Sequence, residues 1–301
     1  MRRRRDMVTR RHGDQSGISA SPRLPLSASP RPITRPSKRL GQHFLVDKRI
    51  IDRTIKSLQP KPDETIVEIG PGRGALTAEL IPKAGCVVAI EFDRNLQAFL
   101  LEKFASARNF KLISGDALIT DFAFEIKPAQ QARLVANLPY NISTAILQRL
   151  LEQRNCIPEM VLMLQREVVD RIKAPAGSTD RGYLSVLINA YYEIEKLFDA
   201  APGAFKPAPK VWSSVIRLMV RPRLPVEVKD EDLLWRVVSS GFAQKRKTIL
   251  NNLRSAPGEL EETIKKHGGA SIVLCRAEIE LSRRAETLTL EEWGRISREL
   301  E

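Results

Sequence analysis

Five short apolar runs alternate with segments of helical period between residues 48 and 173, and this alternation constrains the fold more than any other feature of the chain. The runs cover 65–69, 86–90, 110–113, the stretch beginning at Val135, and 160–164. Apolar residues recur at helical spacing in 48–58, through Ile50, Ile51, Ile55 and Leu58, and helical segments are read at 75–81, 95–104, 143–151 and 167–173. Strands buried on both faces read as continuous apolar runs, and parallel neighbours need a helix-length crossover between them. The expected class is therefore α/β, an open and mainly parallel sheet with helices on both faces. Such sheets bind ligands beyond the carboxyl ends of their strands. The polar punctuation falls at those ends. Gly70-Pro71-Gly72-Arg73-Gly74 follows the first run, Glu91 and Asp93 the second, Gly115-Asp116-Ala117 the third, and Asn137-Leu138-Pro139-Tyr140 the fourth.

After residue 180 the rhythm changes. A helix is expected over 183–192, strands over 193–200 and 214–220, and a proline-stiffened loop over 204–211. Beyond residue 222 no strand pattern remains; 233–242, 248–253, 259–266, 277–281 and 290–300 read as short helices. This divides the chain into a tail at 1–37, a sheet domain at 38–222 and an all-helical domain at 223–301. The tail is rich in Arg, Pro and Ser and has no period, the composition of a disordered segment. It reads as an organelle transit peptide whose prolines spoil an amphipathic helix, as an RNA-attracting arm, or as an over-extended translation start. The formal charge of +13 points to an anionic partner. Residues 1–40 hold eleven Lys/Arg against two Asp, a net of +9, and leave only +4 for the remainder. Cys86, Cys156 and Cys275 are widely spaced and form no CxxC pair, which fits reduced thiols in a cytoplasmic compartment and no zinc site. No apolar run is long enough to span a membrane.

The glycine turn lets backbone lie close to a ligand at the start of a helix. Its GxGxG spacing differs from the GxGxxG of dinucleotide dehydrogenases, and no Lys-Ser/Thr follows to make a phosphate-binding loop. Glu91, about twenty residues on, is placed to take ribose hydroxyls, and taken alone it fits a solvated strand-end carboxylate equally well. Asp116 can accept from an adenine amino group, and Gly-Asp-Ala by itself is also a common turn. Together these residues outline a pocket for an adenosine-bearing cofactor. In the tetrad, Pro139 lacks an N–H and biases Leu138 to an extended conformation, so the loop is stiff and can aim the Leu138 carbonyl outward. An amide at Asn137, that carbonyl and the flat ring of Tyr140 suit an exocyclic amine on a planar base. A capped β-to-α turn with a core tyrosine fits the tetrad alone equally well.

The runs EIGPGRGALT at 68–77, NLPY at 137–140, QHFL at 42–45, FKPAPKV at 205–211 and FAQKRKTILNNL at 242–253 resemble the KsgA family of ribosomal RNA adenine dimethyltransferases. The likeness runs from Leu40 to the C-terminus, and the last motif favours the small-subunit branch over Erm-type relatives that act on large-subunit RNA. The resemblance implies a Rossmann-like class I methyltransferase that uses S-adenosyl-L-methionine to dimethylate N6 of two adjacent adenosines near the 3′ end of small-subunit RNA. It implies a monomeric cytoplasmic enzyme acting on an immature ribosomal subunit, with no metal. His43 and Leu45 would close over the cofactor, Gly70 approach its methionine portion, Glu91 its ribose and Asp116 its adenine. Gln42, Gly72, Gly74, Ala117 and Asn137 would complete that set. Asn137 and the Leu138 carbonyl would hold N6 on a loop stiffened by Pro139, with Tyr140 and Phe205 stacked on the base. On residue type alone Phe205 reads as a core aromatic. Lys245, Arg246 and Lys247, expected to open a helix without acids, and more weakly Arg181 and Lys206, would contact RNA phosphate. Two residues depart from the family pattern: His43 replaces a commoner Asn, and Trp212 a small or acidic residue.

Overall fold

Strands β2 (Thr65–Ile69), β3 (Cys86–Glu91), β4 (Phe110–Ser114), β5 (Arg133–Asn137), β6 (Glu159–Gln165), β7 (Tyr192–Ala200) and β9 (Ser213–Val220) form one seven-stranded sheet, ordered β4-β3-β2-β5-β6-β9-β7. The structure, a computed structural model, describes residues 42–301. The tail at 1–37 lies outside them. Strands β2 to β6 pair in parallel, while β9 runs antiparallel to both β6 and β7. A two-stranded antiparallel strap joins β1 (Phe44–Leu45) to β8 (Phe205–Lys206).

Period-2 alternation sends successive side chains to opposite faces. Val67, Ile69, Val88, Ile90, Leu134, Ala136, Leu162, Ile216 and Leu218 face one core, closed by Ile146, Leu147 and Leu150 of the helix Ser143–Glu152 and by Val169 and Ile172 of Arg166–Ile172. Ile66, Val87, Val135, Val161, Met163 and Val215 face the other, closed by Ile55 and Leu58 of Lys48–Leu58 and by Leu76 and Leu80 of Ala75–Leu80. The chain leaves β2 towards β3 and β4, then returns to place β5 on the other side of β2. The loops after β2 and β5 therefore diverge and leave a crevice at their carboxyl ends.

The helices Glu231–Gly241, Ile249–Arg254, Glu259–Lys266, Ala270–Arg276 and Leu290–Arg298 pack on a core of their own around Leu234, Val238, Leu253, Leu274 and the fully buried Trp293. The helix expected over 277–281 is absent, and Ala270–Arg276 takes its place. Gly268 and Gly269, at φ +94° and +92°, separate it from the preceding helix. At its other end Glu278 adopts φ 58° and the Ile279 N–H donates to the Leu274 carbonyl at 2.8 Å, which reverses the chain and returns Ile279 to the core. The basic triad does not open a helix either. Lys245, Arg246 and Lys247 lie in the turn before Ile249–Arg254, whose N-cap is Thr248.

Candidate active site

The glycine turn leaves β2 with Gly70, Gly72 and Gly74 all in the left-handed region, at φ 66°, 59° and 72°. Each has a separate reason to lack a side chain. A Cβ at Gly74 would stand 2.6 Å from the Phe104 ring, and one at Gly72 3.0 Å from Phe44. At Gly70 nothing lies within 4 Å, so its bare backbone borders open space. The side chain of Glu91, at the end of β3, folds back on the turn. One carboxylate oxygen accepts the Gly72 N–H at 3.1 Å and the other the Asp93 N–H at 2.9 Å. Burial pushes the Glu91 carboxyl up from its ordinary value, opposed by these backbone donors. Asp116, after β4, accepts the Leu118 N–H at 2.9 Å in a short side-chain-closed turn.

These ends surround a cavity of about 220 Å³ at the switch point of the sheet. Gln42, His43, Leu45, Gly70, Gly72, Glu91, Asp116, Ala117, Asn137, Leu138, Pro139 and Tyr140 all line it. Gly74 does not; its contacts are with Phe104 and Leu100 behind the turn. Among the lining residues not expected as site residues, Phe92 and Glu68 stand out. Phe92 is an exposed ring directly after Glu91, and an apolar residue after a strand-end acid was the available signal. Glu68 is buried at 2% exposure and accepts the Thr77 hydroxyl at 2.6 Å. Burial drives its carboxyl up to about 7, partly opposed by that hydroxyl and by Lys103, and reinforced by Glu91. Its marks in the sequence were an acid inside an apolar strand and its place at the head of the EIGPGRGALT run.

The tetrad is held from three directions. The Leu138 N–H donates to the Met163 carbonyl at 3.1 Å, which continues the β5–β6 ladder past Asn137. The Asn137 Nδ2 donates to the His43 carbonyl at 3.0 Å, so its Oδ1 is the acceptor left for another partner. The Tyr140 hydroxyl and Ser213 Oγ are 2.7 Å apart, and burial raises the Tyr140 pKa. His43 stacks on the Tyr140 ring with centroids 5.3 Å apart and planes 28° from parallel. His43 Nδ1 lies 2.7 Å from the Pro207 carbonyl, an acceptor only, so that nitrogen carries the proton. The β1–β8 strap thus ties the N-terminal segment and the 205–212 loop to the tetrad.

Phe205 does not reach the cavity. Only 2% exposed, it packs in the core with Leu45, Phe198 and Val215, as its residue type alone suggested. The ring stacked on Tyr140 is that of His43 instead. Arg181 is also not a surface cation. It is 9% exposed, donates to the Ala174 carbonyl at 3.1 Å, and burial lowers its pKa. Lys206, Lys245, Arg246 and Lys247 are exposed. The basic turn is pinned from below, where buried Asn252 donates to the carbonyls of Gly241 and Gln244.

The strand order, the glycine turn and the acids at the strand ends define a class I methyltransferase. The same fold occurs in a dimethyladenosine transferase from Plasmodium falciparum, at TM-score 0.67 and 23% identity over 84% of this chain and 96% of that one. It occurs also in the 23S rRNA methyltransferase ErmE, at TM-score 0.61 and 26% identity over 85% and 99%. The profile of the family described as ribosomal RNA adenine dimethylase matches residues 34–295, and the chain belongs to that family. Among similar proteins, the ribosomal RNA small subunit methyltransferase A of Saccharophagus degradans is 40% identical over 88% of this chain and 95% of its own. That of Moorella thermoacetica is 44% identical over 88% and 93%.

Proposed function

We propose that the protein transfers methyl groups from S-adenosyl-L-methionine to N6 of adenine in small-subunit ribosomal RNA, giving dimethyladenine. The observation that carries this reading is the fixed amide of Asn137. With Nδ2 committed to His43, its Oδ1 is an acceptor beside the Tyr140 ring, at the end of the strand next to the glycine turn. The cofactor supplies a methyl group on a positively charged sulfur. Gly70 would border its methionine portion, Glu91 and Asp116 would hold its nucleoside, and Phe92 would offer an apolar face to its base.

The lone pair of adenine N6 is delocalised into the purine ring, so it is a poor nucleophile. Two acceptors on the N6 hydrogens, Asn137 Oδ1 and the Leu138 carbonyl, draw that nitrogen towards a tetrahedral geometry, while Tyr140 orients the ring for in-line attack. As the new C–N bond forms, the methyl–sulfur bond would break to leave a neutral thioether, and the now acidic N6 proton would pass to water, so no base of neutral pKa is required. His43 fits this account as a positioning residue, its Nδ1–H spent on Pro207. An adenine reached in this way is splayed out of its stack.

The division into a methyl-transfer domain at 38–222 and a helical RNA-facing domain at 223–301 is supported by a distinct helical core, to which Val186 is the one buried residue contributed from before residue 222. The substrate in this reading is an immature small subunit, modified at two adjacent adenosines near the 3′ end by a monomer in the cytoplasm. Among the described residues no helix is long and apolar enough to cross a membrane. The test is Asn137→Ala, with free small-subunit RNA, large-subunit RNA, DNA and immature small subunits as methyl acceptors. The wild type is expected to prefer the immature subunits, and the variant to bind them while losing roughly 100- to 1,000-fold in transfer rate. Undiminished transfer by the variant would sink the role of the tetrad, and a preference for large-subunit RNA would move the protein to the other branch.

A further inference from the structure

A second cleft of about 420 Å³ shares no lining residue with the first and is tied to the tetrad through the backbone, since Trp212 on its wall precedes Ser213, the partner of the Tyr140 hydroxyl. It is walled by Arg166, Asp170, Asp180, Lys210, Val211 and Trp212, all exposed. Trp212 is 46% exposed, a large ring surface left in water. Its backbone is anchored to β6. The Arg166 N–H donates to the Trp212 carbonyl at 2.9 Å, extending the β6–β9 ladder one step beyond the Gln165–Ser213 pair. The next residue, Ser213, holds the Tyr140 hydroxyl, and β6 also accepts the Leu138 N–H. The framework that aims the tetrad therefore aims Trp212 as well, with the two Cα atoms of Trp212 and Ser213 about 3.8 Å apart.

The chemistry of the cleft selects its occupant. The Arg166 guanidinium stands 6.0 Å from the Trp212 ring centroid, against 4.0 Å for Arg53 over Phe198, so the indole face is not closely covered. Among the described residues no hydrogen bond or ion pair engages the carboxylates of Asp170 and Asp180. Free carboxylates disfavour a bare phosphate but accept from the amino groups of bases. A flat ring, a planar guanidinium and unspent acceptors together suit a stacked base with an exocyclic amine.

We propose that Trp212, with Arg166 and the Asp170 and Asp180 carboxylates, holds an amino-bearing nucleobase that flanks the target adenine in the RNA. This rests on the function proposed above and adds a specificity site to it. While the target is drawn into the cavity at Tyr140, the flanking base stacks on Trp212 across the Tyr140–Ser213 bridge and fixes the register of the strand.

The test pairs two proteins, wild type and Trp212→Ala, with small-subunit RNA fragments in which each nucleotide beside the target is replaced in turn by an abasic site or uridine. Trp212→Ala is expected to raise KM for intact RNA about 5- to 150-fold, the span of one base-on-aromatic stack. KM for the cofactor is expected to stay put, and Trp212→Phe to recover most of the loss. An abasic flank should weaken the wild type by a similar factor and Trp212→Ala hardly at all. Uridine should fall close to abasic. An abasic penalty that persists undiminished in Trp212→Ala overturns the proposal. So does a defect seen only with intact subunits and not with naked RNA, which would assign Trp212 to a protein contact. Wild-type protein that methylates small-subunit RNA neither free nor within immature subunits would instead refute the function itself.

Discussion

Replacing Glu68 with Gln should make the protein more stable at alkaline pH and leave it nearly unchanged in acid. The carboxyl is buried at 2% exposure, and burial pushes its pKa from an ordinary 4.5 to about 7. A carboxyl raised in the folded state favours folding below pH 4.5, and that contribution is lost as the pH climbs through 7. The full swing of about 2.5 pH units corresponds to roughly 3 kcal/mol, most of which falls between pH 5 and pH 8.5. Gln keeps an acceptor for the Thr77 hydroxyl and carries no ionisable group, so the variant should lack this slope. Denaturant unfolding of both proteins at half-unit pH steps gives the comparison. The wild type should lose stability relative to the variant by that amount as the pH rises, mostly above pH 5. Parallel stability curves across the whole range would refute the reasoning, because they would mean that Glu68 titrates alike in the folded and unfolded chain.

Phe205→Ala should destabilise the fold by about 3–5 kcal/mol, the cost of emptying a large aromatic site in a core, as read by thermal unfolding; a stable variant with only a raised KM for RNA would return Phe205 to a stacking role. Arg181→Ala should cost about 1–3 kcal/mol by leaving the Ala174 carbonyl unpaired, and should leave the salt dependence of RNA binding unchanged. The triple replacement of Lys245, Arg246 and Lys247 by Ala should do the reverse, lowering the slope of log affinity against log salt by about 2–3 without moving the unfolding midpoint. Gly241→Ala should cost about 1–3 kcal/mol, since its Cβ would meet the buried Trp293 ring at 2.3 Å.

The sheet was legible because its information is local. The runs around Val67, Val88 and Val135 are apolar on both faces, and the residues that end them are the ones that turn up in the cavity. The β1–β8 strap was not legible, because two-residue strands have no period to detect. The helix at Ala270–Arg276 was missed because two glycines precede it and a reversal at Glu278 follows, so its apolar residues never complete two turns. Lys245–Lys247 were legible as exposed cations but not as a turn, since a basic run suits a helix and a loop equally.

The sequence by itself determined that strands would end in a glycine turn, in acids and in the Asn137–Tyr140 tetrad, because backbone preference and side-chain alternation are properties of neighbouring residues. Tertiary structure alone decided which atoms of those residues are free. The strap brings His43 to Asn137 from 94 positions away and turns the amide so that oxygen is left for a ligand. It stacks His43 on Tyr140 and sends Phe205 into the core. Folding of the 174–185 segment buries Arg181 against a carbonyl of its own chain. Burial and the choice of hydrogen-bond partner depend on which distant segments meet, and no local pattern carries that information.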